Sequence, residues 1–105
     1  MVKTDKKPIK IGVVIVAYNS SDDIRKCIES VQAQTTENIK ALPIVIDNNS
    51  ADDSLLIAKR CGALTIENQK NLGFAKAVNI GIEKAFAESC EFILVFNPDA
   101  VLIDG

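Results

Sequence analysis

The feature of this sequence that most constrains its fold is a regular alternation between short apolar runs and segments with helical periodicity. Near-continuous apolar runs with the length and composition of buried strands occupy residues 11–17, 43–47, 64–66 and 91–96. The segments between them repeat apolar residues at intervals typical of one helix face. Such alternation indicates parallel strands joined by right-handed helical crossovers. We therefore predict an open, doubly wound, Rossmann-like α/β sheet of about four strands and three helices, in the strand order 3-2-1-4.

Single residues sharpen the expected boundaries of these elements. The polar residues 20–23 are expected to cap the first helix, and Gly62 to end the second in a left-handed conformation. Pro43 is expected at the first position of the second strand, because proline cannot donate a hydrogen bond within a central ladder. The inward face of the first helix is predicted to be Ile24, Cys27, Ile28 and Val31, and that of the third to be Phe74, Ala77, Val78, Gly81 and Ala85.

Size, charge and reactive side chains exclude several classes of protein. The chain has 105 residues, which supports a single domain, and a formal net charge of -2 without a basic stripe, which argues against a nucleic-acid partner. Its 3 cysteines are far apart and form no C-x-x-C pair, so we predict buried structural thiols rather than a metal site or a disulfide. Because histidine is absent from the sequence, histidine-based acid–base catalysis is excluded for this segment.

The beginning of the sequence bears on where the protein resides. A lysine-rich leader over residues 1–9 is expected to be flexible, with the folded domain over 10–105. The apolar run after the leader is followed by Tyr18 and Asn19 in place of small cleavage-site residues, which argues against a signal peptide. Nothing in the sequence approaches the ~20 apolar residues of a membrane span. These features predict a cytoplasmic protein and leave open peripheral attachment of a longer protein to the inner face of the membrane.

Polar side chains follow every predicted strand. They are Tyr18-Asn19, Asp47-Asn48-Asn49, Glu67-Asn68 and Asn97-Pro98-Asp99. In an open α/β sheet, ligands bind beyond the carboxyl ends of the strands, near the point where the strand order reverses. Residues of these types also make turns and cap helices, which accounts for Ser20, Ser50 and part of Asn48-Asn49. Turn and capping roles account less well for an acid or amide after every strand. We therefore predict a ligand site on the rim formed by the carboxyl ends of the strands.

The chemistry of the strand ends narrows the class of ligand. The turn over residues 17–21 contains no glycine, which argues against a nicotinamide dinucleotide, and a P-loop lysine-serine pair is absent. Asp47 can accept a hydrogen bond from a ribose or a base edge, and Asp99 can hold a divalent cation against a diphosphate. Residues 71–73 lie just before a predicted helix, whose N-terminus favours anions. Together these features predict a nucleoside diphosphate ligand.

Specific strings in the sequence point to a family. They are VAYNS at 16–20, IDNNSADDS at 46–54, NLGFAKAVNIG at 71–81 and FNPD at 96–99. In this order, over about 10–105, the set resembles the N-terminal half of family 2 glycosyltransferases, and within them the branch similar to bacterial rhamnosyltransferases. The resemblance implies a glycosyltransferase A fold that binds a UDP- or dTDP-linked sugar and acts in cell-wall or polysaccharide biosynthesis.

The resemblance also implies roles for individual residues. Ala17 and Tyr18 would line the base, and Asp47 would accept a hydrogen bond from a uracil or thymine imide. Asn71 and Gly73 would shape the wall near the ribose and the diphosphate. In full, the implied nucleotide-binding residues are Ala17, Tyr18, Asn19, Asp47, Asn49, Asn71, Gly73 and Asn97.

The metal motif departs from the family pattern. Asn97-Pro98-Asp99 occupies the position of the family's D-x-D motif, which makes Asp99 the implied ligand of Mg2+ or Mn2+. In such enzymes the metal offsets the charge of the leaving diphosphate, a Lewis-acid role. Because Asn97 replaces the first acid, we expect weaker intrinsic metal binding.

The resemblance and the end of the sequence together shape the functional expectation. The family's acceptor-binding region and catalytic base lie beyond Gly105, and Asp104 is only a weak substitute, so a truncated donor-binding half is expected. By itself it would be inactive, and the parent would be an inverting enzyme acting on a glycan or lipid-linked acceptor. The alternative is a receiver-like regulatory module, which would need an acidic pair where Tyr18-Asn19 stand. An exposed edge on the last strand would favour self-association.

Overall fold

The structure is a computed structural model that describes residues 7–103 as a parallel sheet with helices on both faces. The strands are β1 (Ile9–Ala17), β2 (Ile39–Asp47), β3 (Leu64–Glu67) and β4 (Phe92–Phe96), and the helices are α1 (Ile24–Gln32), α2 (Ser54–Arg60) and α3 (Phe74–Ala87). The sheet order is β3-β2-β1-β4, all parallel, which confirms the predicted topology. Most of the predicted leader, residues 1–6, and Asp104 lie outside the described residues.

The central strands are buried on both faces, which is why they appear in the sequence as nearly continuous apolar runs. On one face, Val13 and Ile15 of β1 pack with α1 and α2. On the other, Val14 of β1 and Ile44 and Ile46 of β2 pack with α3. The predicted inward face of α1 is confirmed, since Ile24, Cys27, Ile28 and Val31 are all 0% exposed.

Pro43 lies in the middle of β2, opposite Val13 of β1, so its predicted place at the start of the strand is wrong. In a parallel ladder the backbone groups of alternate residues point to alternate neighbours. The amide and carbonyl of Ala41 pair with the hydroxyl of Thr35, on the side away from β1, and the nitrogen of Pro43 faces the same side. Because β3 begins opposite Ile44, no strand hydrogen bond is lost at Pro43.

The N-termini of the helices differ from the predicted pattern. Asp23 precedes α1 without a side-chain cap, and the carbonyl of Ser20 instead accepts the amides of Asp23 and Ile24. Phe74, predicted to face inward, is 56% exposed. The reason is that Asn48, just past the end of β2, donates to the carbonyl of Gly73, so α3 begins at the rim of the sheet rather than over it. At the other end of a helix, the prediction holds: Gly62, just after α2, has the predicted left-handed conformation, with a φ of 85°.

The thiols of Cys27 and Cys90 are buried and that of Cys61 is half-buried. Burial, with a smaller contribution from the negative charge of Asp99, raises the pKa of Cys27 to about 11. Burial also raises the pKa of Cys90. Both buried thiols therefore stay protonated at neutral pH and belong to the core. Within residues 7–103, no helix has the length and apolar character needed to cross a membrane.

Candidate functional site

The carboxyl ends of the strands meet at one rim because the strands are parallel. Ala17, Asp47 and Glu67 are aligned across β1, β2 and β3, and Phe96 ends β4 opposite Ile15. The polar residues that follow each strand therefore gather at the same edge of the sheet. The order reverses between β1 and β4, which places the rim at the topological switch point where open α/β sheets bind ligands.

The turns after β1 and β2 are locked to each other around Asp47, whose side chain is buried. One of its carboxylate oxygens accepts the amide of Ser50 at 3.0 Å, and the other accepts the Ser50 hydroxyl at 2.7 Å. That hydroxyl oxygen in turn accepts the amide of Asn19 at 2.9 Å, and the side-chain oxygen of Asn19 accepts the amide of Ala51 at 2.8 Å. Asp47 is thereby fixed in orientation, and Asn19 has a structural role in addition to its predicted one.

Two asparagines in these turns adopt left-handed backbone conformations, with φ of 50° at Asn19 and 66° at Asn49. Asparagine tolerates this region better than other residues with a side chain, because its short amide can bond locally. Both asparagines are exposed, but the side-chain oxygen of Asn19 is engaged by the amide of Ala51. Asn49 takes no part in the side-chain bonds that join these two turns, so its amide group is the one left available at the rim.

A second bridge joins the same two turns through Asp52 and Ser54. The amide of Ser20 donates to the Ser54 hydroxyl at 2.7 Å, and the amide of Ser21 donates to the Asp52 carboxylate at 3.1 Å. Burial acts to raise the pKa of Asp52, but hydrogen bonds from Ser54 and Ser21 outweigh it and lower the pKa to about 2. The carboxylate is therefore ionised over the whole neutral range. The predicted site residues do not include Asp52, because nothing in the sequence shows that its carboxylate bonds the turn after β1.

Asn48 is the main residue of the rim that the predicted site omits. Its side chain is buried, and its oxygen accepts the side-chain amide of Asn68 at 2.9 Å and the backbone amide of Leu72 at 3.2 Å. Its nitrogen donates to the carbonyl of Gly73 at 3.2 Å. Asn48 thus joins β2 to the loop that leads into α3. One sequence feature could have identified Asn48: it is an amide directly after a buried strand. An amide side chain can both donate and accept hydrogen bonds, so it can join neighbouring backbone segments at such a position.

Asn71 and Gly73 form the entry to α3. The side-chain oxygen of Asn71 accepts the amide of Gly73 at 2.8 Å. Gly73 has a φ of 85°, and a Cβ placed there would meet no atom within 4 Å. Glycine is therefore required by the backbone conformation and not by crowding. The entry to the helix is open to solvent, as a site for an anionic group requires.

The segment after β4 turns at Asn97-Pro98-Asp99. The amide of Ala100 donates to the carbonyl of Asn97 at 3.0 Å, which closes a turn with Pro98 at its second position. The side chains of Asn97 and Asp99 are exposed, and Asp99 takes no part in the hydrogen bonds that lock the other strand ends. Its carboxylate is free to accept a cation.

The donor set of the rim fits a hard divalent cation held jointly with a ligand. Among residues 7–103, no group of three or more His, Cys, Asp or Glu side chains is placed to hold a metal. Asp99 would thus supply one carboxylate, with the amide oxygen of Asn97 nearby in sequence. Mg2+ commonly binds through one or two carboxylates and completes its shell with waters and substrate phosphates. The arrangement suits a metal that arrives with a diphosphate.

Comparison with known proteins places these features in one family. The profile described as Glycosyl transferase family 2 matches residues 12–105. Glycosyltransferase YibD of Escherichia coli is 35% identical over 88 residues, which cover 80% of this chain and 25% of that protein. Glycosyltransferase AglE of Haloferax volcanii is 30% identical over 89 residues, which cover 79% of this chain and 29% of that protein. The match is to an enzyme family rather than to the receiver-like module left open by the sequence.

Solved structures share the fold. The mannosyltransferase PcManGT from Pyrobaculum calidifontis, in complex with GDP-Man and Mn2+, superposes with a TM-score of 0.78 at 20% identity, covering 95% of this chain and 30% of that one. TarS 1-349 of S. aureus gives 0.74 at 24% identity, covering 86% and 27%. The chain thus spans about a quarter to a third of the length of the proteins that it resembles.

Proposed function

This chain belongs to glycosyl transferase family 2, and we propose that its strand-end rim binds the nucleoside diphosphate of a sugar donor. The observation that carries the proposal is the convergence of complementary groups at the switch point between β1 and β4. They are an exposed aromatic ring at Tyr18, an oriented carboxylate at Asp47 and a free carboxylate at Asp99. A nucleoside diphosphate with a bound metal offers a partner for each: its base for Tyr18 and Asp47, and the metal for Asp99.

The base is proposed to lie against Ala17 and Tyr18, the last residue of β1 and the one after it. Tyr18 is 52% exposed, and an exposed aromatic side chain can stack on a base. The carboxylate of Asp47 can accept more bonds than Ser50 supplies, and the two Ser50 bonds hold its remaining lone pairs in a fixed direction. An imide N–H of uracil or thymine is the donor that such a carboxylate would read, with the exposed Asn49 beside it.

The ribose and the diphosphate are proposed to extend from the base toward α3 and the turn after β4. Asn71 and Gly73 border the start of α3, where backbone amides and the helix dipole favour negative charge. Asn97 and Asp99 lie in the exposed turn after β4, the strand next to β1. Asp99 would hold Mg2+ or Mn2+, and the metal would lower the cost of charge on the leaving diphosphate. The presence of Mn2+ together with GDP-Man in the Pyrobaculum mannosyltransferase complex supports the choice of a divalent ion.

The reaction is proposed to be inverting sugar transfer to a glycan or lipid-linked acceptor, within cell-wall or polysaccharide synthesis in the cytoplasm. A rhamnosyl donor, linked to UDP or dTDP, follows from the branch that the sequence resembles. Inversion needs a carboxylate that takes the proton of the acceptor hydroxyl. We assign that base to none of residues 7–103, so the 105-residue chain is expected to bind the donor without transferring its sugar.

Calorimetric titration of the 105-residue chain with UDP and dTDP, with and without Mn2+, tests this site. We expect Asp99→Asn to reduce the Mn2+-dependent gain in affinity by about tenfold, the scale of one interaction with a charged group. Asp47→Asn should weaken binding both with and without metal, because it replaces an acceptor oxygen with a donor. Asp22→Ala, at an exposed aspartate before α1, is the matched control and should bind like the parent. Binding unaffected by either site substitution would refute the assignment.

A second copy of the chain is proposed as a partner of β4. Within residues 7–103 this strand pairs only with β1, and its FILVF sequence has no charge, proline or glycine to block edge pairing. Leu94 and Leu56 are each 45% exposed, but Leu94 lies on β4 and Leu56 on α2. We expect sedimentation velocity to show concentration-dependent association that Leu94→Lys abolishes and Leu56→Lys leaves unchanged. A parent chain that stays monomeric at high concentration would contradict the proposal.

A further inference from the structure

Helix α1 contacts the start of the Asn97-Pro98-Asp99 turn through Cys27. The Cys27 side chain is fully buried, and its sulfur lies 3.6 Å from the carbonyl oxygen of Asn97, to which the thiol donates. The same oxygen accepts the amide of Ala100 that closes the turn. Because a thiol is a weak donor, the contact gains its effect from being buried and fixed by the surrounding core. The turn is therefore anchored to α1 at its first residue.

The same helix holds the end of the segment through Ser30. Ser30 lies three residues after Cys27, so both side chains lie on one side of α1. Its hydroxyl accepts the amide of Leu102 at 3.0 Å and donates to the carbonyl of Cys27 at 2.8 Å. Phe96 and Leu102, on either side of the turn, pack against the core cluster that contains Cys27. The segment is thus fastened to α1 both before and after Asp99.

Building on the proposed metal site, we propose that Cys27 and Ser30 are positioning residues that hold the Asp99 carboxylate at the rim. Asp99 itself takes no part in the bonds that fix the other strand ends, so its position depends on the residues on either side of it. A turn without anchors would have to be ordered when the metal and the diphosphate bind, and that ordering would weaken binding. With α1 holding both ends, the carboxylate is ordered in advance.

The test separates the metal-dependent part of UDP affinity from the metal-free part. We expect Ser30→Ala and Cys27→Ala each to reduce the Mn2+-dependent gain by about threefold to tenfold, the scale of one lost hydrogen bond. Metal-free UDP affinity should change less than about twofold, because Asp47 and Tyr18 are untouched. Cys27→Ser keeps a donor and should recover most of the gain. Hydrogen exchange at the Leu102 amide should quicken in Ser30→Ala.

Cys90→Ala is the matched control, because Cys90 is also a buried thiol but packs on the α3 side of the sheet. It should lose stability without changing the Mn2+-dependent gain. If Cys27→Ala fails to fold, Ser30→Ala still tests whether α1 positions Asp99. Ser30 is half-buried, and its substitution removes only a hydroxyl. If Asp99→Asn removes the gain while Ser30→Ala keeps it, α1 has no positioning role. If Asp99→Asn leaves the gain intact, the metal site itself is misassigned, and the proposal fails with it.

Discussion

Replacing Gly81 by alanine is expected to destabilise the fold by about 2–3 kcal/mol, the cost of overpacking a filled interior. Gly81 lies in the middle of α3 and is buried against β1. A Cβ at this position would overlap Cγ1 of Val14, and it would lie 3.1 Å from Cγ2 of Val14 and 3.3 Å from Cγ1 of Ile46. Val14 and Ile46 belong to the central strands, so neither can move without disturbing the sheet.

The sign of this effect is the useful part of the prediction. In an exposed helix interior, glycine to alanine stabilises by about 0.5–1 kcal/mol, because the unfolded chain loses conformational freedom. Gly81→Ala should do the opposite, since crowding against Val14 outweighs that gain. Urea denaturation with unchanged slope would give the difference in unfolding free energy. Asn79→Ala, at an exposed position of the same helix, is the control and should be neutral or stabilising. A Gly81→Ala variant as stable as the parent would refute the close packing of α3 on β1.

The strand order and the inward face of α1 could be predicted from the sequence, because buried strands and a buried helix face leave a direct periodic signal. The error at Pro43 shows what such a signal omits. Proline was placed at the strand start by a rule about central ladders, but only one side of β2 is paired at that level. Which side a nitrogen faces, and where the neighbouring strand begins, depend on register between distant segments. Neither can be read from residues 39–47 alone.

The positions of the polar residues in the sequence predicted the rim, but they did not predict the hydrogen bonds that each residue makes there. Asp47 and Asn19, expected to face a ligand, are also bonded across the turns after β1 and β2. Neither Asp52 nor Asn48 is among the predicted site residues, and both join segments far apart in sequence. Sequence shows that a side chain can accept a hydrogen bond. Which donor that side chain accepts from depends on how two loops pack, and those loops are neighbours only in the folded chain.

Removing the side chain of Asn48 is expected to have the second large effect, on stability and on binding together. Asn48→Ala would leave the side-chain amide of Asn68 and the backbone amide of Leu72 without their partner, while the carbonyl of Gly73 would lose one of its two donors and keep the amide of Ala77. Each unsatisfied buried group costs about 1–3 kcal/mol. Because Leu72 and Gly73 lie near the surface and water can reach part of the gap, we expect about 3 kcal/mol in total.

Asn49→Gly provides the matched control, because Asn49 is the next residue, is exposed and has a φ of 66°. Glycine adopts that conformation without strain, so the variant removes an amide side chain at no cost to the backbone. It should unfold like the parent. Asn48→Asp is a graded variant, since its carboxylate can still accept from Asn68 and Leu72 but cannot donate to Gly73. Its loss of stability should fall between those of the other two.

The expected effect on binding follows from the loop that the Asn48 side chain holds. Asn48 fixes the loop that carries Asn71 and Gly73, so Asn48→Ala should release that loop and weaken UDP binding with and without Mn2+ alike. Asp99→Asn, in contrast, should affect only the metal-dependent part. Calorimetry at a temperature where Asn48→Ala remains folded separates the two patterns, and hydrogen exchange at the Leu72 amide reports the loop directly. If exchange quickens while UDP affinity is unchanged, the start of α3 does not contact the nucleotide, and Asn71 and Gly73 leave the proposed site.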